Sequence, residues 1–166
     1  MATITLKGSP IHTNGSLPEV GVFALDFTGV KSDLSEVQLS DLKGKKVVLN
    51  IFPSLDTAVC AASVRRFNKE ASNLKDTVVL CISKDLPFAQ GRFCTVEGLK
   101  NVVAVSVFRD TTFENNFGML IIDGPMAGLL ARGVVIVDKE GKVIYTELVP
   151  EIVNEPDYIS ALNALK

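Results

Sequence analysis

Eight residues of this chain combine the types and the spacing that cysteine chemistry requires: Pro53-Ser-Leu-Asp-Thr-Ala-Val-Cys60. A cysteine attacks as its thiolate, so the question is what would favour that form over the thiol. If a helix begins just before Cys60, Thr57 and Cys60 share one face of its first turn. Unsatisfied backbone N–H groups and the positive end of the helix dipole at that position favour a negative sulfur. The Thr57 hydroxyl both accepts and donates hydrogen bonds, which suits it to orient a peroxide oxygen beside the sulfur. Pro53 has no N–H and can shield a thiolate from bulk water. The inert alternative is a small buried Cys60 with Thr57 as a helix cap. A thiol at a helix start, directly after a buried strand, favours chemistry.

The elements around the segment support that placement. Val47-Val-Leu-Asn-Ile-Phe52 is an almost continuous apolar run of the kind a strand buried on both faces requires. Pro53 ends it. After Asp56-Thr57, which can cap a helix, Val59, Ala62, Val64 and Phe67 alternate with Arg65, Arg66, Lys69 and Glu70, predicting a helix to about Leu74. Thr77–Ile82 is a second buried strand. Ser83–Phe93 is a candidate short helix, opened by Ser83 or Asp85 with Pro87 near its first turn. Val102–Val107, Gly133–Val137 and Lys142–Val149 complete the strands, and Thr112–Phe117 is a short helix. Asp138-Lys-Glu-Gly-Lys142 predicts a hairpin that sets the last two strands antiparallel. Pro156 and Asp157 open a terminal helix. At the other end, alternation in Ala2–Leu6 and the turn Lys7-Gly8-Ser9-Pro10 give a short hairpin, followed by irregular chain, a possible strand near Phe27, and a loop over Leu39–Lys46. The pattern is an α/β fold, a thioredoxin-like sandwich with a central mixed sheet flanked by helices and an added N-terminal hairpin within residues 1–15.

The 166 residues suit one domain spanning 1–166, with 47% hydrophobic and 22% charged residues, as in an ordinary globule. A formal charge of -2 provides no basic field, which argues against nucleic acid or an acidic membrane surface as a partner. No apolar stretch is long enough to span a bilayer, and the start carries no signal-like segment, so a cytoplasmic protein is expected. Three cysteines, Cys60, Cys81 and Cys94, lack metal-type spacing and fit reduced or catalytic thiols better than a disulfide framework.

Pro53, Thr57 and Cys60 match the Pro-x-x-x-Thr-x-x-Cys signature of peroxiredoxins. The similarity continues through Asn50–Asn68, Val78–Ser83, Asp85–Gln90, Arg92-Phe-Cys94 and Glu155-Pro-Asp-Tyr158, so that the chain resembles the bacterial atypical two-cysteine subgroup over nearly its whole length. The resemblance implies a peroxidase that reduces hydrogen peroxide and alkyl or lipid hydroperoxides without metal, haem or flavin. It further implies Cys60 as the peroxidatic cysteine, Cys94 as the resolving cysteine that forms an intramolecular disulfide with it, and Arg132 as an active-site arginine. Thioredoxin as reductant and a homodimer are expected on the same ground.

Spacing alone leaves other readings open. Arg132 precedes a strong strand, where it could serve a neighbouring helix start or be a surface arginine. Arg109, before Asp110-Thr-Thr112, is a weaker site candidate or a solvated charge. Cys81, inside a strand, reads as an inert core thiol, and His12 as an exposed hairpin residue. Arg65, Arg66 and Lys69 read as a solvated helix face. Leu86, Phe88, Phe93 and Met119–Ile122 read as core or as an apolar approach to the thiol. Cys60-Ala-Ala-Ser63 also resembles a monothiol variant of Cys-x-x-Cys, which keeps a thiol–disulfide oxidoreductase in view. A peroxide-responsive redox sensor is the third possibility, separable from a peroxidase by turnover number.

Overall fold

In the computed structural model, which describes residues 1–166, the chain opens with the predicted hairpin, β1 (Thr3–Leu6) and β2 (Ser9–His12). Its turn places both Lys7 (φ 51°) and Gly8 (φ 83°) in the left-handed region, the geometry that matches the twist of a two-residue hairpin. There follow β3 (Thr28–Lys31), β4 (Glu36–Gln38), β5 (Lys46–Ile51), α1 (Ala58–Ala71), β6 (Thr77–Ser83) and α2 (Pro87–Glu97). The remainder is β7 (Val103–Ser106), α3 (Thr111–Phe117), β8 (Gly133–Val137), β9 (Val143–Leu148) and α4 (Tyr158–Ala164).

Apart from β1 and β2, the strands form one sheet in the order β4-β3-β7-β6-β5-β8-β9. β5, β6 and β7 run parallel, and the flanking pairs are antiparallel. The apolar run in β5 is explained by its central position. Val47, Leu49 and Ile51 face a core that also holds Ile4 and Ile11 of the hairpin, Phe27, and Phe113 and Phe117 of α3. Val48 and Phe52 face the opposite core, with Cys60, Val64 and Phe67 of α1 and Ala161 of α4. The period of two thus sends alternate side chains into two separate hydrophobic layers.

Three details depart from the sequence reading. Glu36–Gln38 is an edge strand, and Leu39–Leu42 is a 3-10 turn rather than loop. Ser83 is the last residue of β6, paired with Ser106, so the next helix both starts and ends four residues later than Ser83–Phe93. Leu86 caps it with Pro87 in the first turn, where the missing N–H costs nothing, and Gly98 (φ 67°) ends it.

Candidate active site

The chain leaves β5 at Ile51, passes Pro53, and enters α1 with Thr57 as the extended N-cap residue. Thr57 does not cap with its side chain. Its Oγ1 instead lies 2.6 Å from Cys60 Sγ and 3.0 Å from the Ser54 carbonyl oxygen. The hydroxyl has one proton, so the two contacts alternate with the state of the sulfur. Beside a thiolate, Thr57 donates to sulfur; beside a thiol, it can accept from S–H while donating to Ser54.

Arg132, immediately before β8, supplies the second partner. Antiparallel pairing sets Gly133 opposite Ile51, which brings the arginine to the same sheet end as the start of α1. It is only 3% exposed, so the surface-arginine reading does not hold. Its Nη2 donates to Cys60 Sγ at 3.3 Å and its Nε to the Ile152 carbonyl oxygen at 2.9 Å. Nη1 is buried and has no partner. A fixed positive charge with one unused donor can stabilise a thiolate and hold an oxygen that gains charge beside it.

A cavity of about 290 Å³ opens onto Thr57 and Arg132. Pro53 and Ala58 also line it, and Leu6, Val59, Met126, Ile152 and Val153 make the rest of the wall apolar. Of the apolar residues weighed from sequence as an approach to the thiol, none lines this cavity. Met119 and Ile121 are core, whereas Leu86 and Phe88 are exposed.

Cys94 lies elsewhere. On α2 it is half-buried, and burial pushes its thiol up. It lines cavities shared with Ser32, Asp33, Gly91 and Leu99 and, separately, with Lys31 and Val102. Neither includes Thr57, Arg132 or Pro53, and both Cys60 and Cys94 are free thiols. The segments bearing the two cysteines are nonetheless joined. The Asp85 carboxylate, in the loop before α2, accepts from Ser54 Oγ at 2.7 Å and from the Leu55 N–H at 2.8 Å, both in the loop before α1. It also accepts from Ser83 Oγ at 2.7 Å, and Gln90, buried in α2, donates to that same Ser83 oxygen at 3.1 Å. Asp85 read from sequence as a possible helix cap; its span between two loops carries no local signature.

The other candidates separate clearly. Arg109 pairs with Glu36 at 3.1 Å with both side chains more than half exposed, and it is not among the partners of the Cys60 sulfur. Arg65 is not simply solvated: its Nε donates to Glu97 of α2 at 2.9 Å. His12 is partly covered and pairs with Asp123 at 2.5 Å.

Residues 14–162 match the family described as Redoxin. The chain belongs to the redoxin family. It is 54% identical over 165 residues to the thiol peroxidase of Corynebacterium glutamicum and, over the same length, to that of Mycobacterium bovis, covering 99% of this chain and of each relative. Among solved structures, a peroxiredoxin-like protein from Aquifex aeolicus superposes with a TM-score of 0.94 at 40% identity, covering 99% of this chain and 96% of that one. This redoxin is therefore a thiol-dependent peroxidase of the peroxiredoxin type with a thioredoxin-like fold. Its substrate class is peroxide, and its reductant is a thiol.

Proposed function

We propose that Cys60 is the attacking sulfur of this peroxidase and Cys94 its resolving partner. The observation that carries the reading is the pair of donors on one buried sulfur, Thr57 Oγ1 at 2.6 Å and Arg132 Nη2 at 3.3 Å. The Cys60 thiolate attacks one peroxide oxygen and the O–O bond breaks. Cys60 becomes sulfenic acid, and the departing oxygen takes a proton to leave as water or alcohol. Arg132 Nη1, otherwise unpartnered, supports the charge developing on that oxygen. Pro53 closes the cavity rim without adding a competing N–H. The apolar wall of Leu6, Val59, Met126 and Val153 favours hydroperoxides with an alkyl or acyl chain over a purely polar substrate.

The Cys94 thiol then attacks the sulfenic sulfur, releasing water and forming the Cys60–Cys94 disulfide. A disulfide needs Cα atoms within about 7 Å and a matching side-chain geometry; Cys60 is fully buried in the first turn of α1 and Cys94 is a free thiol on α2, so the first turn of α1 or part of α2 unwinds for this step. A thioredoxin-type dithiol returns both cysteines to thiols by exchange and leaves as its own disulfide. The working form is a homodimer in the cytoplasm, where such a reductant keeps thiols reduced. Ser63 argues against the oxidoreductase alternative. Where Cys-x-x-Cys would place a second thiol, its buried hydroxyl donates to the Cys60 carbonyl at 2.8 Å.

The decisive experiment is intact-mass analysis of wild type and Cys94→Ser after peroxide, alongside turnover with thioredoxin and its reductase. Wild type should lose two hydrogens per chain and turn over many equivalents. Cys94→Ser should gain one oxygen on Cys60, then two under excess peroxide. A Cys60–Cys81 bond, an intermolecular disulfide, or arrest after one equivalent in wild type would remove the two-cysteine cycle.

A further inference from the structure

Arg132 is aimed at Cys60 by a single backbone carbonyl, Ile152 O, which accepts from Nε at 2.9 Å. That carbonyl belongs to residues 150–153, a segment between β9 and α4 with no helix or strand of its own. The N-terminal hairpin is what holds it. Thr5 N–H donates to Pro150 O at 2.7 Å, and Ile152 N–H donates to Thr5 O at 2.9 Å, one bond on either side of Glu151. The Glu151 side chain then reaches along the hairpin to its tip. Oε1 accepts from the Lys7 N–H at 2.9 Å, while Oε2 accepts from the Gly8 N–H at 3.0 Å and from Thr5 Oγ1 at 2.8 Å.

A two-residue hairpin leaves the N–H groups of its two turn residues outside the ladder. Glu151 takes both. Donation, led by the Gly8 N–H, holds its carboxyl down at about 2, so the contact persists wherever thiolate chemistry runs. Leu6, between Thr5 and the turn, lines the same cavity as Arg132, Ile152 and Val153. The guanidinium has no other fixed protein acceptor: Nη2 meets the reacting sulfur and Nη1 has no partner. A displacement of Ile152 O therefore passes directly to the charge beside the sulfur.

We propose that Glu151 is a positioning residue for the peroxide step, tying the hairpin turn to residues 150–153 and so fixing the carbonyl that orients Arg132 toward Cys60. The proposal rests on the assignment of Cys60 and Arg132 above. It gives the added hairpin a role in the chemistry, as the outer support of the arginine.

The test follows reduced wild type, Glu151→Ala, Arg132→Met and the double variant by quenched-flow mass spectrometry with hydrogen peroxide and tert-butyl hydroperoxide. The chain has no tryptophan to report oxidation by fluorescence. Glu151→Ala should slow Cys60 oxidation about tenfold, within the range expected when a catalytic group shifts by less than 1 Å. In the Arg132→Met background the same change should have no further effect, because the group it positions is gone. Alkylation of Cys60 by iodoacetamide should not accelerate, as it would in a loosened fold. Thr5→Val, which removes one donor and keeps the carboxylate, should produce a smaller loss in the same direction. An unchanged rate in Glu151→Ala, an equal loss in both arginine backgrounds, or faster alkylation would each overturn the proposal. If wild-type Cys60 itself gains no oxygen and loses no hydrogen, the catalytic assignment fails instead.

Discussion

Two sulfurs belong to the same hydrophobic core, between the sheet and α1, and burial does not distinguish them: Cys60 is 0% exposed and Cys81 1%. What differs is the company. Cys60 meets a hydroxyl and a guanidinium. Cys81, in the centre of β6, meets only the Asn50 amide nitrogen at 3.8 Å, and burial pushes its thiol up to about 12, with Asn50 opposing and Cys94 adding to the shift. Desolvation alone therefore makes a thiol inert. A buried sulfur can act as a nucleophile only where fixed donors replace the water it has lost.

The comparison breaks most sharply by exchanging the sulfur itself. Cys60→Ser should abolish peroxide turnover with the far-ultraviolet circular dichroism spectrum unchanged, because a serine hydroxyl is not ionised at neutral pH; residual turnover near wild type would end the contrast. Next in size, Arg132→Met should make Cys60 resemble Cys81 and slow its oxidation about a hundredfold, the scale of losing one preorganised donor to a developing charge. Thr57→Val should follow with about tenfold. Both losses are to be read in the oxidation phase, with disulfide reduction by thioredoxin little changed. Cys81→Ala should retain most of the peroxide rate, since that thiol points from β6 into the core shared with α1 and lines none of the cavity by Arg132. Its effect is on stability. A folded-state value of about 12 against an ordinary value of 9.0 means that the fold favours the protonated thiol. That contribution is complete below about pH 9 and is lost as pH rises toward 12. The stability gap between wild type and Cys81→Ala, measured by urea unfolding, should accordingly narrow across that interval.

Pro53, Thr57 and Cys60 were legible because one turn of chain brings them together, so spacing alone puts hydroxyl and sulfur on one face. Arg132 lies seventy-two residues beyond Cys60, and only resemblance identified it; β5–β8 pairing is what makes the two neighbours. Ile152 contributes a carbonyl, which every residue has, and therefore left no trace in the sequence. The misplaced end of α2 has a different cause. Its polar Gln90 is buried, while its apolar Phe88 and Val96 are exposed, so the usual helical stripe is inverted and periodicity could not set its bounds. β4 escaped because three residues on a sheet edge, two of them exposed, carry too little alternation to register.

Asp85 gives the two cysteine-bearing segments a shared thermodynamic fate. Its carboxylate accepts from Ser54 and Leu55 on one side while its own chain leads into α2 on the other. Unwinding the approach to Cys60 therefore strips a partner from the approach to Cys94, and the reverse is equally true. The Leu55 amide records this directly in hydrogen–deuterium exchange. Its proton is held by a carboxylate from the opposite segment, so its protection falls when either segment opens, making one backbone amide a common clock for both.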